Sequence, residues 1–106
     1  MAKYLFKAAY TATGARGLAS EGGVSRRDQI RKMLEDMGGQ LESFYFGFGD
    51  TDVYGIGEMP DNVSAAAASL AINASGAVTT TIVPLITPEE MDAAAKRTVA
   101  YRPPGG

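Results

Sequence analysis

The chain has 106 residues, a net charge of −2 and no basic stripe, so it is not built to neutralise phosphates and no nucleic-acid partner is expected. It contains neither cysteine nor histidine, which excludes disulfides and thiol chemistry and removes the commonest general base and metal ligand. An apolar share of 45% against 21% charged is that of a soluble globular protein, and no run approaches a membrane span. The N-terminus, MAKYLFKAAY, is too short and too polar for a signal peptide, so a cytoplasmic protein without a membrane contact is expected.

The chain in order begins with a strand over residues 3–10. Tyr4, Phe6, Ala8 and Tyr10 fall on one face, and Leu5, Lys7 and Ala9 on the other. Residues 11–23 are punctuated by glycine and predict a short helical turn around 15–20, broken at Gly22 and Gly23. A firmer helix is predicted over 25–37, where Ile30, Met33, Leu34 and Met37 recur at helical spacing. Gly38 and Gly39 end it. The interrupted cluster Arg26, Arg27, Arg31 and Lys32, followed by Glu35 and Asp36, reads as the solvated side of this helix.

A second strand over 40–48 sets Leu41, Ser43, Tyr45 and Gly47 against Glu42, Phe44, Phe46 and Phe48. Gly49, Asp50, Thr51 and Asp52 make the turn into a third strand, 52–59. There Tyr54 and Ile56 oppose Val53, Gly55, Gly57 and Met59, and the small residues predict close approach of a ring, a ligand or another backbone. Asp61 is placed to cap an alanine-rich helix over 62–74. A fourth strand follows over 77–86, and Pro84, which cannot donate to a ladder, assigns it to a sheet edge or marks its end. Thr87, Pro88, Glu89 and Glu90 form a capping-box sequence that opens a helix over 88–97. A single domain over 1–97 with an extended tail, 98–106, is expected. Tyr101 and Arg102 are the tail's candidates for docking on a neighbouring subunit.

The order β-α-β-β-α-β plus a C-terminal helix predicts an α+β, ferredoxin-like fold with a four-stranded antiparallel sheet. Its helices would cover one sheet face. Both faces of the strands are largely apolar, so the second face predicts a homodimer or higher homo-oligomer, most simply two sheets packed into a dimeric α/β barrel.

The chain resembles the GYD-domain family over nearly all of residues 3–92. The resemblance rests on Tyr4, Tyr10 with Thr11, Gly14, Leu18, Arg27, the Gly38 stop and Tyr45. It continues through Gly49 with Asp52, Pro60 with Asp61, the alanine helix, Gly76, and Thr87 with Glu90. Where the family's hairpin carries an aromatic residue before the aspartate, this chain has Thr51. The resemblance implies a ferredoxin-like fold of the dimeric α/β-barrel type. It supplies no activity, because the family is one of unknown function.

No catalytic set is defined by the sequence, and no cofactor or metal is expected. The candidates for ligand binding are Lys7, Tyr10, Arg27, Tyr45, Asp52, Tyr54 and Asn73. Asp50 and Asp52 could hold a metal or act as acid and base, but aspartates in a tight turn more simply accept local backbone hydrogen bonds. Arg26 and Arg27 stand at a helix start, where a cation opposes the macrodipole, so either a ligand or a partner such as Glu21 or Asp28 is expected for one of them. Arg27 matches the family position. Tyr4, Tyr10, Tyr45 and Tyr54 could orient an aromatic ligand or simply pack. Lys7 would be a base or anion site if it points inward and would snorkel if it points to a rim. Asn73 is a candidate polar group in a pocket. The glycine-rich run from Gly14 to Gly23 lacks the pattern of a phosphate loop. Three functions fit: an oligomer that binds a small apolar or aromatic molecule, a cofactor-independent oxygenase or isomerase using Lys7, Asp52 or Arg27 with tyrosines, and a purely structural or regulatory assembly.

Overall fold

A computed structural model describes residues 1–106. The elements are β1 (Ala2–Tyr10), α1 (Ala12–Glu21), α2 (Gly23–Asp36), β2 (Gln40–Phe46), β3 (Val53–Met59), α3 (Asn62–Ala74), β4 (Val78–Leu85) and α4 (Pro88–Ala95). The four strands form one open antiparallel sheet in the order β2-β3-β1-β4, an α+β arrangement consistent with a ferredoxin-like fold. Pro84 lies on an edge strand, where its missing N–H has no outer neighbour to serve.

The region between β1 and α2 differs from the sequence expectation. Residues 12–21 form a full helix rather than a short turn. Thr11 caps it by accepting from the Gly14 amide at 3.2 Å. The glycines that weaken this helix on propensity serve packing: a Cβ on Gly14 would lie 1.9 Å from the Ala77 carbonyl oxygen. Gly22, with φ at +91°, donates to the Leu18 carbonyl at 2.8 Å and ends α1, and α2 starts at once at Gly23 rather than at Ser25. Gly38, with φ at +85°, and the Gly39 N–H to the Leu34 carbonyl close α2 as expected.

The second strand stops at Phe46, two residues early, because the Gly47 amide turns to the Asp52 carbonyl at 2.8 Å. Phe48 stands wholly in solvent at the hairpin tip. A bulge between Leu41 and Ser43 breaks the simple alternation. Leu41 pairs with Gly57 while Ser43 pairs with Ile56, so Leu41 joins Phe44 and Phe46 on the helix-covered face instead of Ser43 and Tyr45.

The core lies between the sheet and the helices. Tyr4, Phe6, Leu34, Met59, Ala65 and Ala68 form it, with Ile30, Met33, Met37, Leu41 and Ile82 packed around them. Full burial of Leu34, the centre of the α2 stripe, contributes about 1.5–3 kcal/mol. The Tyr4 hydroxyl donates to Asn62 Oδ1 at 2.7 Å, which removes the cost of burying it.

Only 11 of 106 residues are buried. The accessible surface is 7214 Å², against about 5,700 Å² for a compact monomer of this mass. The radius of gyration is 16.7 Å, against about 13 Å for a compact chain of this length. Two features account for the surplus. The sheet face opposite the helices is uncovered, and every residue from Ile86 to Gly106 is exposed, so α4 and the tail project without packing on the rest.

Candidate functional site

Alternation along β1 sends Tyr4, Phe6, Ala8 and Tyr10 toward the helices. On β3 the same face carries Val53, Gly55, Gly57 and Met59. Above this floor α2 lies chiefly over β2, and α3 chiefly over β4. Between them, where Ala8 and Gly55 supply little side-chain volume, a cavity of about 290 Å³ remains. Phe6, Phe44, Val53 and Leu41 line it from the strands, Ile30 and Met33 from α2, and Ile72 from the far end of α3. The Phe6 and Phe44 rings lie against the bare Cα of Gly55, 3.6–3.9 Å from where a Cβ would stand. This is the close approach of rings that the small strand residues predicted.

Four polar side chains border the cavity: Tyr10, Arg26, Ser75 and Thr80. Two have their hydroxyl protons committed. Thr80 Oγ1 donates to the Lys7 carbonyl at 3.1 Å, and Ser75 Oγ donates to the Ile72 carbonyl at 2.7 Å. The other two retain donors. The Tyr10 pKa is raised, mainly by burial of the phenol, while the nearby Arg26 guanidinium pulls it down and Glu21 and Asp52 push it up. Arg26 pairs only loosely, its Nη1 lying 3.7 Å from Glu21 Oε2. Glu21 is itself anchored on its other oxygen by the Ser25 hydroxyl at 3.1 Å.

Of the seven ligand-binding candidates named from the sequence, only Tyr10 borders this cavity, joined by Arg26, which the sequence weighed beside Arg27. Arg27 points elsewhere: it pairs with Asp28 at 3.1 Å and edges a shallow hollow formed with Gly23, Val24, Phe44 and Phe46. Asp52 takes a backbone role, but a long-range rather than a local one: its Oδ2 accepts from the Tyr10 amide at 2.8 Å across the end of the sheet. Asn73 acts as a strand anchor. Its Oδ1 accepts from the Thr80 amide at 2.8 Å and its Nδ2 donates to the Thr80 carbonyl at 3.4 Å. Lys7, Tyr45 and Tyr54 lie on the opposite sheet face, with Tyr54 next to Lys7 on one side and to Tyr45 on the other. Lys7, Asp52 and Arg27, grouped as an enzymatic set on sequence grounds, are therefore not brought together. Asp50 is exposed in the turn, and no group of three or more acidic side chains gathers anywhere in the chain.

Of the two arginines that the sequence offered for a ligand or a carboxylate partner, the family position favoured Arg27, but it is Arg26 that borders the cavity. Spacing does not separate the two: Arg26 precedes Ile30 by four positions and Met33 by seven, and Arg27 precedes Ile30 by three and Leu34 by seven, so both border the apolar stripe of α2.

The fold and cavity thus define an α+β protein with one helix-covered sheet face and an apolar pocket beneath the helices. The chain belongs to the GYD-domain family, whose model matches residues 4–95. No curated protein and no solved structure matches it. No helix is long and apolar enough to cross a membrane.

Proposed function

We propose that this protein is a homo-oligomeric binder of a small apolar or aromatic molecule. The observation that carries the reading is the cavity of about 290 Å³ between sheet and helices, with mostly apolar walls and two uncommitted donors, Tyr10 and Arg26. Its size and its few polar groups are those of a small-molecule site. Nothing in the cavity supplies a nucleophile or a general base of ordinary strength, so binding is favoured over the oxygenase or isomerase alternative.

The homo-oligomer is supported by the uncovered face. Leu5 lies between Ile56 and Val83 there, and in the next row of the same face Tyr54 lies between Tyr45 and Lys7. Tyr45 is 70% exposed, Tyr54 44% and Val83 37%. A largely apolar face, interrupted by Lys7, Thr81 and Ser43, fits a second copy of the same face, as in a dimeric α/β barrel. Native mass spectrometry of protein purified from its own host tests both parts. The expected result is a dimer or larger assembly carrying a retained small organic adduct. A bare monomer at micromolar concentration would sink the assembly, and repeated preparations with no adduct would move the protein to the structural class.

A further inference from the structure

We infer that the pocket takes an amphipathic monoanion, an aromatic or aliphatic body closed by one carboxylate, with the carboxylate held by Arg26 and Tyr10. The inference rests on the proposed ligand pocket and adds the charge and orientation of what enters it. The apolar part of the lining, Phe6, Phe44, Ile30 and Met33, offers contacts to a hydrocarbon body and nothing to a polar one. Polar donors at the pocket reduce to the two named side chains, because the Ser75 and Thr80 protons are spent on backbone carbonyls. Arginine presents a planar fork matched to a carboxylate, and a phenol adds a third donor. Arg26, from the start of α2, and Tyr10, from the end of β1, border the same cavity.

Charge limits the ligand to a single negative unit. Glu21 Oε2 already stands 3.7 Å from Arg26 and neutralises part of its field. A dianion such as a phosphate monoester would carry a second charge facing that carboxylate with no further cation bordering the cavity. The 3.7 Å separation is beyond a direct hydrogen bond, so the fork is free to turn toward an incoming carboxylate without breaking one. Glu21 is held back by Ser25 and acts as a competitor for the guanidinium.

The test is calorimetric titration with matched pairs that differ only in charge: 2-naphthoate against 2-naphthamide, and octanoate against octanamide. Each anion is expected to bind at least about tenfold more tightly than its amide, the effect of one charge-assisted hydrogen bond. Arg26→Gln should abolish that preference, the anions losing at least about tenfold in affinity relative to their amides. Arg26→Lys, which keeps the charge and loses the fork, should retain part of it. Glu21→Gln should tighten the anions alone, by a few-fold. Amide binding reports that each variant still folds around its pocket. Equal affinity for anion and amide in the unaltered protein, or an anion preference that survives Arg26→Gln, overturns the anionic end and leaves the apolar pocket standing. No binding of any of the four compounds overturns both readings.

Discussion

Single residues in this protein divide sharply between those that satisfy buried backbone and those with capacity to spare. Asp52, Asn73 and Thr80 belong to the first kind, each tied to an amide or carbonyl on another segment, and Ser75 does the same locally, bridging the Ile72 carbonyl and the Ala77 amide at the end of α3. Tyr4 is the clearest case in the core. Tyr4→Phe removes the donor to Asn62 and should cost about 1 kcal/mol, read as a lower urea midpoint at unchanged slope. Asp61 gives a pH prediction. The Ser64 amide, and secondarily its hydroxyl, hold the Asp61 carboxyl below its ordinary value. Its folded pKa is therefore depressed relative to the unfolded chain. The stabilisation is present above the ordinary carboxylate range and is lost as pH falls through the lower, folded value. Glu90 behaves the same way through the Thr87 amide. Asp61→Asn keeps a competent cap without the charge, so its urea midpoint should fall less steeply below about pH 4 than that of the unaltered protein. An identical acid slope would contradict the assignment.

Secondary-structure elements were legible in proportion to how much of their logic is local. The capping box at Thr87, the cap at Asp61, the glycine stop after α2 and the edge strand with Pro84 all follow from neighbouring residues and were read correctly. The full length of α1 was not. Gly14 and Gly17 lower its helix propensity, and the compensation is tertiary: Gly14 lets the helix press onto the Ala77 carbonyl. Gly14→Ala would raise propensity and still destabilise, because a Cβ 1.9 Å from that oxygen forces the helix away. The expected loss is about 1–3 kcal/mol in chemical denaturation. An unchanged or higher midpoint would show that α1 does not hold its place through this contact. The bulge at Glu42 was also illegible, since the extra residue shifts Leu41 by one face without any marked local signature.

At the scale of the whole molecule the monomer is under-covered. Its helices serve one sheet face, and α4 with the tail finds nothing within the chain to pack on. A charge at the middle of the open face tests what the second copy would bury. Ile56→Lys sits beside Leu5 and Ser43 on that face, away from the pocket side, and should shift sedimentation toward monomer while leaving the far-UV spectrum intact. An unshifted assembly would place the interface elsewhere.

The sequence by itself determined the elements, the α+β class and the two-sided apolar strands, because these follow from period, capping and glycine placement within a few residues. It also excluded thiol and imidazole chemistry outright. Only the tertiary structure decided which strand face the helices take and which Asp and Asn groups are spent on backbone. It also decided that Arg26 rather than Arg27 reaches the cavity. Those choices depend on residues far apart in the chain, Phe6 and Gly55, Gly14 and Ala77, Tyr10 and Asp52, meeting within a few ångströms. The cavity itself has no sequence signature, since it is the space left where small side chains on two strands lie beneath two helices that settle over opposite ends of the sheet.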